Sequence, residues 1–134
     1  MNGIKVVEAI KSKFQGTGSS INVPTQTGGS FKAKLTHEGI LVDNLGGPPF
    51  LPWIVFQEAI CVLIRKDGRA ALGDATIARL GSEELSLDSI EGHIAQVVYG
   101  KKVGDPVFGR IRAIAAILIW AGVCETDQDE LILR

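Results

Sequence analysis

The chain has 134 residues, of which 46% are hydrophobic and 22% are charged, with a formal net charge of −1. This length fits one ordinary domain, and the composition excludes a disordered chain. Proteins whose main partner is DNA are often basic overall, so the charge balance counts against nucleic acid but leaves room for a local basic patch.

The first thirty residues predict a helical arm followed by a loop. The positions Ile4, Val7, Ala9 or Ile10, and Phe14 are spaced as on one face of a helix, which predicts an N-terminal helical arm over 1–15. Residues 16–30, GTGSSINVPTQTGGS, are rich in Gly, Ser and Thr and predict a flexible loop. Because this loop is long, we expect the arm to pack loosely or on a neighbouring chain.

The remainder, residues 31–134, predicts a single α+β domain. FKAKL and ILVDNL alternate apolar and polar residues around a turn, which predicts a β-hairpin over 31–45 that ends at GGPP. A helical core over 51–123 follows, and ELIL at 130–133 predicts a strand that joins the hairpin. The expected fold is a mainly helical α+β bundle of about four to five helices with a small antiparallel sheet.

Four helical segments are predicted within the core. The first, WIVFQEAICVLIRKDG, is apolar nearly all round, which is typical of a buried helix. The second, DATIARLG at 74–81, has Asp74 as its cap. The third begins at a capping box formed by Asp88 and Glu91. In the fourth, Asp105 caps the helix and Pro106 opens its first turn.

A basic turn separates the last two predicted helices. Positive charge in this position favours contact with the phosphates of nucleic acid. The alternative is a solvated corner, because lysines commonly fill exposed turns such as the one between Gly100 and Gly104. The candidate nucleic-acid-binding residues are Lys101, Lys102, Arg110 and Arg112.

The succession of helices over residues 51–125 carries a family resemblance. The positions that carry it are Gly68-Arg69-Ala70, Arg110 or Arg112, and Ala121-Gly122-Val123. In this respect the chain resembles winged-helix domains, and most of all the N-terminal domain of Mrr-type restriction enzymes. The resemblance implies a DNA- or protein-recognition module without nuclease activity, since that chemistry lies in a separate domain of such enzymes. Only nine residues follow Glu125, so we expect the strand at 130–133 to replace a full wing hairpin by pairing with 31–45.

No group of side chains in the sequence indicates catalysis, a cofactor or a metal. His93 follows Asp88 and Glu91, but at these separations the three side chains do not converge on one helix face. Cys61 and Cys124 lie in apolar runs, where a free cysteine behaves as a small hydrophobic residue, and we expect a reducing cytoplasm. The longest apolar run is too short to cross a membrane. A non-enzymatic protein is therefore expected.

Two functions remain at this point. The first is a winged-helix-like module that binds double-stranded DNA through the basic turn. The second is a protein-interaction or oligomerisation module that does not bind nucleic acid. The high apolar content of the chain predicts a homodimer or larger assembly. Acidic residues are concentrated in 83–91 and in the tail, so copies could pair a basic face with an acidic face.

Overall fold

The computed structural model describes residues 1–45 and 49–134, which form four helices and two antiparallel sheets. The predicted α+β class is thereby confirmed. The helices are α1 (Gly3–Gln15), α2 (Trp53–Arg65), α3 (Ile90–Val97) and α4 (Ile111–Trp120). The strands are β1 (Ser20–Pro24), β2 (Ser30–Leu35), β3 (Gly39–Val42), β4 (Phe50–Pro52), β5 (Arg69–Ala71), β6 (Cys124–Asp127) and β7 (Glu130–Leu133).

Helix α1 packs against α2 and contributes to the main hydrophobic core, so the expectation of a loosely packed arm is wrong. The side chain of Asn2 accepts a hydrogen bond of 2.9 Å from a backbone N–H in the first turn and caps the helix. Val6, Ile10 and Phe14 follow one another at intervals of four residues and are buried. The predicted stripe agrees with this one at Ile10 and Phe14, but it is wrong in its first turn, where Ile4 is exposed and Val6 is buried.

Strand β1 lies inside the segment 16–30, where the sequence predicts a flexible loop. It pairs with β2 in antiparallel register, with Val23 opposite Phe31. Val23 is buried and Ile21 half-buried, while the polar neighbours of both face solvent. Two apolar residues at a spacing of two are enough to add a strand when an adjacent hairpin supplies a pairing edge. The loop prediction is corrected for this reason.

The predicted hairpin over 31–45 is confirmed as strands β2 and β3, with Ala33 opposite Val42. The first sheet has the strand order β1–β2–β3–β4. The residues at 46–48, where the hairpin is predicted to end, lie outside the described residues. Strand β4 continues directly into α2, so this sheet is attached to the helical part of the chain.

The second predicted segment of the helical core forms turns instead of a helix. Asp74 Oδ1 accepts hydrogen bonds from the backbone N–H (3.0 Å) and the hydroxyl (2.5 Å) of Thr76, and so closes a local turn. Leu80 is tied to the turn after α3, because its N–H donates to Asp105 O at 3.0 Å and its carbonyl accepts from Gly104 N at 2.8 Å. These long-range bonds satisfy the backbone without helix formation.

Helix α3 is capped by Ser89, whose hydroxyl accepts a hydrogen bond of 3.0 Å from Gly92 N. The predicted capping box of Asp88 and Glu91 is therefore wrong. The start of α3 packs closely, because a Cβ added at Gly92 would lie 2.0 Å from Ser86 O. A glycine is required here by close backbone approach and not by an unusual φ angle.

Helix α4 begins at Ile111, several residues after the predicted start at Pro106. Asp105 does not cap it. The Asp105 carboxylate instead accepts a hydrogen bond of 2.8 Å from Lys102 N, which stabilises the preceding turn. Helix α4 is the most enclosed of the four described helices, with seven of its ten residues buried, and it contacts α2, β1 and β6. Along its length only Arg112 is fully exposed.

The second sheet has the strand order β5–β7–β6. The strand predicted at 130–133 is confirmed as β7, but its partners are β5 and β6 and not the hairpin at 31–45, so the predicted pairing is wrong. Ala70 lies opposite Leu131 in this sheet. The chain end is long enough for a complete hairpin because Gln128 and Asp129 form a two-residue turn, with Gln128 in the left-handed region at φ 55°.

Candidate interaction site

Lys101 and Lys102 lie together in the turn that follows α3. The backbone N–H of Lys101 donates to Ala95 O at 3.0 Å, which continues the end of the helix. Lys102 is exposed and Lys101 is half-exposed. Within residues 1–45 and 49–134, neither ammonium group forms an ion pair. Both charges are therefore available to a partner.

Arg79 adds a third positive charge to this turn. Its guanidinium Nη1 donates a hydrogen bond of 3.2 Å to Gly104 O. Sequence spacing does not associate Arg79 with the lysines, because they become neighbours only through the backbone bonds between Leu80 and the turn. We call Arg79, Lys101 and Lys102 the basic corner.

Arg110 does not belong to the basic corner, although the sequence predicts it there. The residue is only 8% exposed. Its guanidinium lies 3.8 Å from the centre of the Tyr99 ring and 5.6 Å from that of Phe108, and Nη1 donates to Phe108 O at 3.2 Å. A guanidinium stacked on aromatic rings in this way stabilises packing. The structure therefore places Arg110 in a packed cluster with Tyr99 and Phe108, apart from the basic corner.

The Glu91 carboxylate is buried at the start of α4, with 2% of the residue exposed. Its Oε1 accepts a hydrogen bond of 2.8 Å from Arg110 N and caps α4 from a different helix. Among the described residues its Oε2 accepts no hydrogen bond. Burial raises the pKa of Glu91 to about 7, although hydrogen bonds from the backbone and the charge of Arg110 act in the opposite direction.

Arg112 lies on the rim of a groove of about 840 Å³ between the two sheets. The turn that joins β1 to β2 forms one side, and the hairpin of β6 and β7 forms another. The floor includes the apolar side chains of Leu72, Ile111 and Ala115. We call this space the acidic groove, because Arg112 is its only cationic lining residue among the described residues whereas four are carboxylates: Asp74, Glu83, Glu84 and Asp129.

Asp74 is held in its charged form within the groove. Hydrogen bonds from Thr76, and then the charge of Arg112, lower the pKa of the Asp74 carboxyl. Two other acidic residues of the hairpin are already paired, because Arg69 contacts Asp127 at 2.5 Å and Glu130 at 2.7 Å. The exposed carboxylates on the groove are those of Asp129, Glu83 and Glu84.

One cysteine and one histidine, Cys61 and His93, both lie beside the Glu58 carboxylate. Cys61 is exposed, contrary to the sequence expectation, and Cys124 is buried. Burial and then the Glu58 carboxylate raise the pKa of Cys61, while burial raises the pKa of Cys124 to about 12. Raised pKa values disfavour the reactive thiolate. His93 Nε2 lies 2.9 Å from Glu58 Oε1 in a half-buried pair that links α3 to α2.

No match for this chain was found among protein-family models, curated protein sequences or solved structures. Within residues 1–45 and 49–134, no helix combines the length and apolar character needed to cross a membrane. In the same part of the chain, no three His, Cys, Asp or Glu residues are grouped so that they could hold a metal ion. The candidate site consists of the basic corner and the acidic groove.

Proposed function

We propose that this chain is a non-enzymatic protein-interaction module that assembles with copies of itself and does not use α4 to contact DNA. The observation that carries the proposal is the burial of α4 by its own chain. The order of elements from α2 to β7, a set of helices followed by a terminal hairpin, supports the winged-helix resemblance. A winged-helix unit whose last helix faces inward has lost its usual means of binding DNA.

A recognition helix contacts base edges in the major groove with its N-terminal residues. At the start of α4, Ile111 and Ala113 are buried, and the exposed Arg112 lies on the acidic groove. The adjacent hairpin adds the exposed carboxylates of Glu125 and Asp129, whereas Asp127 and Glu130 are paired with Arg69. Carboxylates at these positions repel phosphate, so neither α4 nor the hairpin favours a duplex.

Apolar exposure supports a protein partner. Ile77 and Val103 are 71% and 66% exposed, and Phe108 is also exposed. Ile77 lines the acidic groove and Val103 lies in the turn of the basic corner, so apolar and charged surfaces occur together. An interface commonly combines a desolvated apolar centre with charged residues at its rim.

The proposed compartment is the cytoplasm. Both cysteines are free thiols in the structure, with Cys61 exposed. Exposed thiols persist best in a reducing compartment.

A second candidate function is contact of the basic corner with the DNA backbone. The specific observation in its favour is the absence of ion pairs at Lys101 and Lys102 among the described residues. With Arg79, the corner supplies three positive charges. Backbone binding through three phosphates would give a slope of about −3 in a plot of log affinity against log salt.

Light scattering and duplex binding, measured on the same preparation at about 50 and about 200 mM salt, test both candidates. The proposal predicts a mass that rises above one chain with concentration and no duplex binding at the lower salt. A single-chain mass at every concentration would overturn it. Duplex binding that Lys101→Glu/Lys102→Glu abolishes, and that the control Lys5→Glu/Lys34→Glu retains, would establish the second candidate instead.

A further inference from the structure

We propose that the basic corner of one copy binds in the acidic groove of a second copy. This inference rests on the proposed function and names the two surfaces through which the chain assembles. It depends on three features: the charge of the groove, the shape and charge of the corner, and the separation of the two within one chain.

The acidic groove has the character of a binding surface for a cationic, partly apolar segment. Leu72, Ile111 and Ala115 contribute apolar side chains to its lining, which in the described part of the chain carries four carboxylates against the single guanidinium of Arg112. Glu83 and Glu84 are exposed at the rim, and neither forms an ion pair in the described part of the chain. Unpaired charges around an apolar floor attract a partner of opposite charge and favour the burial of an apolar side chain.

The basic corner matches this groove in both charge and polarity. Lys102, Val103 and Gly104 are all exposed, so the turn is an accessible outer surface. Val103 rests on Gly81, where an added Cβ would lie 2.8 Å from its methyl group, and its outer side faces solvent. An exposed apolar residue next to two lysines is the complement of an apolar floor beneath acidic residues.

The nearest carboxylate does not cancel the charge of the corner. The Asp105 side chain lies beside Lys102, but its hydrogen bond is to the backbone N–H and not to the ammonium group. Arg79 likewise donates to a backbone carbonyl and keeps its charge. The corner therefore has a net positive charge.

The two surfaces are separate within one chain. Residues 72–86 contribute to both: Asp74, Glu83 and Glu84 line the groove, whereas Arg79 belongs to the corner. No residue of the corner lines the groove. The basic corner of a chain therefore does not occupy the acidic groove of the same chain. The proposed contact joins the corner of one copy to the groove of another. Such a head-to-tail contact generates a ring or an open chain of copies.

The test uses two charge-reversal variants, one for each surface. Glu83→Lys/Glu84→Lys makes the groove net positive, and Lys101→Glu/Lys102→Glu makes the corner net negative. All four residues are at the surface, so the changes leave the core intact. The control Lys5→Glu/Lys34→Glu alters the net charge by the same amount as the corner variant, at exposed positions of α1 and β2.

Each variant alone should associate at least about tenfold more weakly than the wild type in sedimentation velocity, because like charges then meet at the contact. A mixture of the two variants should recover association, since the groove variant keeps an unaltered corner and the corner variant keeps an unaltered groove. This recovery also demonstrates that both variants are folded. The control should associate as the wild type does.

The possible outcomes separate this inference from the proposed function. Wild-type association that both variants retain would overturn the assignment of the two surfaces while the proposed function stands. Two variants that fail to associate alone and also when mixed would contradict the pairing of corner with groove. A wild type that remains a single chain at all concentrations would remove the proposed function itself.

Discussion

Glu91 belongs to α3, but its hydrogen-bonding role concerns α4. It supplies an acceptor to the backbone N–H of Arg110 at a helix start that has no side-chain cap of its own. The sequence alone suggests a capping box within α3, because Glu91 follows Asp88 at the usual spacing. Glu91 and Arg110 are nineteen residues apart in the sequence, and no local sequence pattern predicts a hydrogen bond between them.

The burial of Glu91 predicts a pH-dependent stability. Its pKa is about 7 in the folded protein and near 4.5 for the free side chain, so the folded state holds a proton that the unfolded chain releases between these values. The contribution of Glu91 to the free energy of unfolding is therefore fully present below about pH 4.5 and is lost as the pH rises through about 7. The loss is limited to about 3 kcal/mol over this range.

Glu91→Gln keeps an oxygen acceptor for Arg110 N and removes the titration. We expect urea denaturation to show a smaller fall in the free energy of unfolding between about pH 5 and about pH 8 for this variant than for the wild type. Asp88→Asn, at an exposed neighbouring position, serves as the control and should follow the wild type. Equal pH dependence in Glu91→Gln and the wild type would contradict the assignment.

At the scale of single elements, α1 gives the clearest test of the packing. Phe14 is buried and its ring meets that of Trp120 edge-to-face, with ring centres 5.1 Å apart. Phe14→Ala should reduce the free energy of unfolding by about 3–5 kcal/mol, because it opens a cavity in the main core. Ile4→Ala, on the exposed side of the same helix, should change it by less than about 0.5 kcal/mol. Thermal or urea denaturation compares the two.

A loosely attached arm predicts a different result. In that case both substitutions in α1 would leave the unfolding of the rest of the chain unchanged. The comparison therefore distinguishes an integral helix from an appended one.

The sequence predicts the elements whose signal is local. The hairpin of β2 and β3 follows from strict alternation, and α2 follows from its apolar run. Strand β1 is missed because its Gly- and Ser-rich flanks dominate the composition, although Ile21 and Val23 have strand spacing. The turns at 74–81 are missed because hydrogen bonds to residues after α3 determine them.

The candidate site is less predictable than the fold. Lys101 is half-exposed and Lys102 is exposed, since consecutive lysines in a glycine-flanked turn are rarely buried, and their contact with nucleic acid stays a prediction. The structure places Arg110 against the ring of Tyr99 and Arg112 on the acidic groove, away from the two lysines. This follows because α4 starts at Ile111. Where a long side chain points depends on the helix boundary, which sequence patterns locate poorly.

At the scale of the whole molecule, a net charge near zero conceals two oppositely charged surfaces. The formal net charge of −1 therefore says nothing about where the charged side chains lie on the surface. The acidic groove is lined by the carboxylates of residues 74, 83, 84 and 129, which come from separate parts of the sequence. The basic corner contains the cationic side chains of residues 79, 101 and 102. Contacts between exposed charges are screened by salt, so self-association through these surfaces should weaken as ionic strength rises.

Self-assembly through the basic corner and the acidic groove is tested most directly by the change of backbone amide NMR shifts when the wild-type protein is diluted at low salt. We expect the shifting amides to cluster in the groove walls and in the turn at 101–104, and we expect added salt to reproduce the dilute spectrum. Shifts that are independent of concentration would contradict self-assembly. Shifts confined to another surface, such as the outer face of α2 around Ile54 and Ile64, would contradict the pairing of the basic corner with the acidic groove.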